Sequence, residues 1–342
     1  MSQLKLLREP GYVYDLLYIL CCAFNVEEYA KEYPEEYREE GIAYMESLRD
    51  TFGPVPRELF VFCHAIETGR ALLTTRYFGP YHNQFSDGYD FAFLMDKLSN
   101  TGRLIREVVR FYFRELEEDT VKECAKSFHA VAPHIKASSY SDEVKRYLYE
   151  FFADPIPYIE SLRRELIAKE TLLSAYYNEH HRTIFDAYNG TTLEGLREQL
   201  ASLRDADTLT EDTVYVSYCL LNRYHVSTWF GEGFDTVMLG CDYVWWLSRD
   251  KTARKAPDLC ALGAVLCEPS RLKILQFLAE QGEIPRKELE RSFSFSGSTA
   301  YHHLTVMIKA GLVRQRGVGK TIYYRLDREY LGDVIAALQA LL

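Results

Sequence analysis

Apolar positions along most of this chain recur at helical spacing. "VPRELFVFCHAIETGRALLTTRYF" starts with Pro56 where a missing N–H is harmless, and its periodicity predicts one helix through to Phe78. "SDGYDFAFLMDKL", "RLIREVVRFYFREL", "DEVKRYLYEFFADP" and "IPYIESLRRELIAKETLLSAYY" continue the pattern. Asp154-Pro155 separates two of these helices, because the residue before a proline is biased away from helix. "TTLEGLREQLASL" opens with a capping box from Thr191 to Glu194. Asp212 to Leu221 breaks the rule: Val214, Val216 and Tyr218 alternate with Tyr215 and Ser217, which predicts a strand. "FDTVML", Phe234 to Leu239, is its expected partner across "NRYHVSTWFGEG". Residues 1–250 thus read as an α-rich domain with a small β-element.

Residues 251–342 follow a different order. "EPSRLKILQFLAEQGEI" is a helix stopped by Gly282, and "PRKELERSFSF" is a short helix with Pro285 at its first position. In "SGSTAYHHLTVMIKAGL", Ser296 can accept an orphan N–H of the first turn and Gly311 stands where a helix ends left-handed. Between them Ala300, Leu304, Met307 and Ile308 form one apolar stripe. The other side carries Ser298, His302, Thr305 and Lys309, with Thr299 and Tyr301 at its edges, and His303 falls beside the stripe. That face lacks the Glu/Lys pairs of an ordinary solvated face and offers groups suited to the major groove. "LVRQRGVGKTIYYRL" then reads as two strands around a turn where Arg314, Arg316 and Lys320 cluster. "GVGKT" is not a phosphate loop, since Arg314 stands where the motif needs glycine and a strand follows.

Helix, short helix, second helix and basic hairpin make a winged helix. "EPSRLKIL", "STAYHHL", "AGLV" and "GKTIYYRL", in this order and spacing between Pro257 and Leu342, resemble the ArsR-type family of winged-helix repressors. The resemblance implies a dimeric, operator-binding transcription factor, with flanking helices at about 257–267 and 328–342 as dimer elements. On that reading Ser296, Ser298, Thr299, Tyr301 and His302 meet base edges or phosphates, Lys309 is a more distal backbone contact, Arg316 and Lys320 place the wing, and His303 packs under the helix. Metal-sensing members carry Cys in the short helix or Asp/His in the last one. Here "PRKELER" has no Cys and "DREYLGDVIAALQALL" has Asp327 and Asp333 but no His, so no metal site and no cofactor are expected.

Composition sharpens the division. The chain carries −10 in all; from Ala256 on, eleven Lys and Arg against nine Asp and Glu give +2, which leaves −12 for residues 1–255. The acidic part is not expected to touch DNA. A hydrophobic content of 47% excludes a disordered chain. The longest apolar run, "LLYILCCAF", is too short to span a bilayer and the start lacks a signal-peptide pattern, so a cytoplasmic location without membrane contact is expected.

The chemistry candidates of the long domain are sparse. Cys21 and Cys22 are adjacent thiols, yet in an apolar run Cys behaves as a small hydrophobe. Cys63-His64 and His180-His181 lack partners at ligand spacing. Cys260 and Cys267 stand one heptad apart, where core packing outweighs a shared dimer face. No catalytic motif is visible. The boundary falls at Ser248 to Asp258, "SRDKTARKAPD". Trp229, Trp245 and Trp246 just before it suggest a pocket for a small organic, cationic effector. The alternative is an enzyme or ligand-binding domain with an accessory winged helix.

Overall fold

The computed structural model describes residues 3–31, 33, 35–66, 70–75, 77–79, 85, 89–201, 209, 211–230, 233–244, 259–318 and 321–339. Its first unit wraps helices around a small sheet. The helices are α1 (Glu9–Ala30), α2 (Arg38–Phe52), α3 (Phe60–Cys63), α4 (Phe91–Ser99), α5 (Thr101–Tyr112), α6 (Glu118–Cys124), α7 (Phe128–Ala137), α8 (Asp142–Ala153), α9 (Pro155–Glu179), α10 (His181–Asn189) and α11 (Leu193–Ala201). α1 is apolar on nearly every side and is buried along most of its length, with Cys21 and Cys22 in the core.

The sheet joins β1 (Gln3–Leu6), β2 (Thr213–Cys219), β3 (Val226–Phe230) and β4 (Asp235–Gly240). β1 pairs parallel with β2, β2 parallel with β4, and β3 antiparallel with β4. β4 is buried at every position, as a strand covered on both faces must be. α1 lies so close to β2 that a Cβ on Gly11 would sit 1.9 Å from the Tyr218 carbonyl oxygen, so only glycine fits. One turn on, the fully buried Asp15 accepts hydrogen bonds from Tyr177 Oη (2.6 Å) and from the backbone N–H of Leu220 (2.6 Å), Leu221 (3.0 Å) and Asn222 (3.4 Å). It ties α1 and α9 to the exit of β2. Burial pushes its carboxyl up to about 6 against the pull of these bonds.

Several expectations are corrected here. The helix expected from Pro56 to Phe78 ends at Cys63. The cause is Asn25 of α1, whose buried carboxamide donates to Cys63 O (2.7 Å) and accepts from Ala65 N (2.7 Å), taking over the backbone groups a helix would use. β2 and β4 do pair, but in parallel; the segment taken as their connection supplies β3. The helix at Leu193 is capped by Thr192, which accepts from Gly195 N, while Thr191 bonds Ala187 O and Tyr218 Oη.

The second unit contains α12 (Leu259–Leu266), α13 (Pro269–Gln281), β5 (Ile284–Pro285), α14 (Arg286–Phe293), α15 (Gly297–Lys309), β6 (Val313–Val318), β7 (Thr321–Leu326) and α16 (Arg328–Gln339). It has its own core, in which Leu262, Ile274, Leu278, Leu289, Leu304 and Met307 are buried. β6 and β7 form the antiparallel hairpin and β5 borders β7. β6 also meets β3 in parallel at Phe230 and Val318, so the strands run β1-β2-β4-β3-β6-β7-β5 in one sheet. Cys260 and Cys267, expected in a core, are exposed. Trp245, Trp246 and the boundary segment Ser248 to Asp258 lie outside the described residues. No helix among the described residues is long and apolar enough to cross a membrane.

Candidate nucleic-acid interface

The helix pair that presents the interface is set by local chemistry. Pro269 opens α13, where Glu268 accepts from Ser270 N (3.2 Å), and Gly282 closes it at φ +80°. α14 follows Pro285 and ends at Ser294, whose left-handed φ of +53° turns the chain. Ser296 then caps α15: its Oγ accepts from Thr299 N (3.1 Å) and shares a hydrogen bond with Thr299 Oγ1 (2.8 Å). At the other end Leu312 N bonds Met307 O (3.0 Å) and Gly311 N bonds Ile308 O (2.9 Å), with Gly311 at φ +76°. This double bond around a left-handed glycine satisfies the last carbonyls of the helix.

α15 turns Ala300, Leu304 and Met307 into the core. Ile308, the fourth member of the expected stripe, is half-buried. Ser296, Thr299, Tyr301 and His302 are exposed, Tyr301 at 40%. Thr299, Tyr301 and His302 thus share the outer side of one helix, while the hydroxyl of Ser296 already serves the cap. His303 turns back against the Phe295 ring, 5.3 Å between centroids. Burial there, with Arg271 and His302 nearby, holds its imidazole below the usual histidine range. At Ser298, Lys309 and Arg316 the backbone is described but not the side chain, and Lys320 lies outside the described residues.

The expected basic cluster at the wing turn loses one member. Arg314 Nε donates to Asp327 Oδ2 (2.7 Å) in a nearly buried pair, and Asp327 Oδ1 accepts from Tyr330 N (3.0 Å). One aspartate therefore caps α16 and anchors the base of the wing, and Arg314 works inside the fold.

Other groups were missed in the sequence. Lys287 and Arg291 are exposed on α14, the helix that crosses the phosphate backbone in helix-turn-helix docking. The run "PRKELER" carries that signal. Arg114, just after α5, donates from Nη1 to Tyr301 Oη (3.4 Å), a contact between units that no local pattern foretells. Leu259 and Leu266 of α12, and Ile335 and Leu338 of α16, are exposed at 36%, 43%, 50% and 44%. The same helices bury Leu262, Val265 and Val334, so each has one apolar side in the core and another in solvent.

Residues 266–316 match the family described as "Helix-turn-helix domain". Three curated relatives are similar to a limited part of the chain. The Cadmium resistance transcriptional regulatory protein CadC homolog of Staphylococcus aureus is 28% identical over 87 residues, 25% of this chain and 72% of its own length. The Biofilm growth-associated repressor of Agrobacterium fabrum is 34% identical over 88 residues, 26% of this chain and 74% of its own. The Uncharacterized HTH-type transcriptional regulator YbzH of Bacillus subtilis is 31% identical over 83 residues, 20% of this chain and 83% of its own.

Proposed function

The chain belongs, through its C-terminal part, to the ArsR-type family of DNA-binding transcriptional regulators, and we propose that it acts as a homodimeric repressor on an inverted-repeat operator. The observation that carries this reading is α15. Its apolar stripe is packed inward and a hydrogen-bonding side with Thr299, Tyr301 and His302 faces out. Such a face suits base edges, and on this proposal Arg316 and Lys320 of the wing, with Lys287 and Arg291 of α14, meet phosphates. The net −12 of residues 1–255 opposes contact of the first unit with the duplex, so the Arg114–Tyr301 contact has to open for Tyr301 to reach a base.

The exposed apolar sides of α12 and α16 suit a second copy of the same unit. Metal control does not follow from the cadmium-resistance relative. The short helix has no Cys and the last has no His, so the operator complex should be indifferent to zinc, cadmium and arsenite. The first unit is proposed to hold an organic effector instead. An enzyme reading gains nothing from the buried Asp15 and His225, which are both engaged in internal hydrogen bonds.

Selection of bound sequences from a random duplex pool tests the proposal. An inverted repeat should emerge, with half-sites about 34 Å apart or a multiple of it. Tyr301→Ala with His302→Ala should lower affinity for that operator far more than for random duplex, each good base contact giving about 1–3 kcal/mol of discrimination. Arg316→Ala and Lys320→Ala should weaken both and flatten the salt dependence by about one unit per phosphate contact. Equal losses on operator and random duplex in the Tyr301/His302 variant would remove α15 from base reading.

A further inference from the structure

A cavity of about 380 Å³ opens between α1, the turn at Leu72–Thr74 and β3. A row of rings forms part of its wall. Tyr29, Tyr18, Tyr14 and His225 follow one another with centroids 5.6, 6.4 and 4.6 Å apart, and the first two pairs are stacked. Trp229 of β3 adds a further ring. The polar lining is neutral, from Thr74, Asn222, Ser227 and Thr228. Among the described lining residues the one charged group is Arg70, and no carboxylate is present.

We propose that this cavity is a binding site for a one- or two-ring aromatic carboxylic acid, its ring against the tyrosine row and Trp229 and its carboxylate on Arg70. The size suits such a molecule. Flat walls select a flat body, and a guanidinium matches a carboxylate in planar, two-pronged geometry. A cationic effector, expected from the aromatic residues alone, is disfavoured: ring faces attract cations, but Arg70 repels them and no acid among the described lining residues answers them. His225 adds no charge. Its two ring nitrogens contact Tyr14 Oη (3.2 Å) and Ser227 Oγ (2.7 Å), and burial lowers its pKa to about 4.

The site also has a route to the DNA-binding unit. β3 lines the cavity from Val226 to Trp229, and its next residue, Phe230, pairs with Val318 of the wing. A ligand that prefers one setting of β3 shifts the balance of wing positions by that preference. This coupling, though not the binding itself, rests on the regulator reading above.

The test is calorimetric titration of the full chain, without DNA, with benzoate, 2-naphthoate and indole-3-carboxylate. Their amides and benzylamine serve as neutral and cationic comparisons. At least one acid should bind with Kd below about 1 mM, and its amide should bind about tenfold more weakly or worse. Arg70→Gln, at an exposed position, should bring the acid down to the level of the amide. Trp229→Leu should weaken both. No acid binding, an amide or amine that binds as well as the acid, or an Arg70→Gln variant with unchanged acid affinity overturns the site. Operator affinity is then measured with and without the bound acid. A change supports the route through β3; no change removes that route and leaves the site standing, and loss of operator binding in both arms strikes the regulator reading instead.

Discussion

Asp15 and His225 lie on either side of the β2 exit and respond to acid in opposite directions. Asp15 has its carboxyl raised by burial from 3.8 to about 6. The folded state therefore holds this proton more tightly than the unfolded chain does. Its contribution is greatest below pH 4 and is lost as pH rises through 6, a change of about 3 kcal/mol. His225 is lowered by burial from 6.5 to about 4, so its contribution is present above 6.5 and lost as pH falls through 4. That change is smaller, about 2 kcal/mol, because the ring borders an open cavity. In the intact chain the two largely offset each other between pH 4 and 6.5. Asp15→Asn should expose the histidine, so that stability drops on acidification across this window relative to the parent. His225→Gln should expose the aspartate and show the reverse. Urea unfolding at pH 4.5, 5.5 and 6.5 measures both, and parallel curves for parent and variants would contradict the assignment.

At the scale of elements, what was legible is what depends on neighbours in sequence. Ser296, Gly311 and the stripe of Ala300, Leu304 and Met307 are local signals, and α15 has the limits they imply. The break after Cys63 was not legible because its cause, Asn25, lies 38 residues away from Cys63. β1 was missed because four residues at an edge carry too little alternation to read, and they are strand only because β2 lies beside them. Of the interface, the outer side of α15 could be read, but the Arg314–Asp327 pair and the Arg114–Tyr301 contact could not, since both are made by folding. Gly311 gives a direct test of the α15 terminus. A Cβ there would carry a left-handed residue and lie 2.8 Å from the Tyr330 ring. Gly311→Ala should cost about 2 kcal/mol or more in urea unfolding. Gly332→Ala, inside α16 with open space around it, should instead stabilise by up to about 1 kcal/mol. Similar effects at both sites would refute the cap.

At the scale of the whole molecule, the two units differ in charge and in what they leave uncovered. The second leaves Leu259 and Leu266 of α12 and Ile335 and Leu338 of α16 in solvent. If these form the surface between two copies, Leu266→Lys with Ile335→Lys should yield a monomer in sedimentation and lower operator affinity by about tenfold or more, with helix content unchanged. A dimer that survives both changes would place the contact elsewhere. The pairing of β3 with β6 carries a consequence for solubility. β3 reads Val226-Ser227-Thr228-Trp229-Phe230, a short, uncharged segment rich in strand formers, the composition that templates strand addition between molecules. With the wing beside it, that edge is covered at Phe230. Any movement that takes the wing away bares this last residue as well, so a wing that shifts also lengthens the edge open to strand addition between molecules.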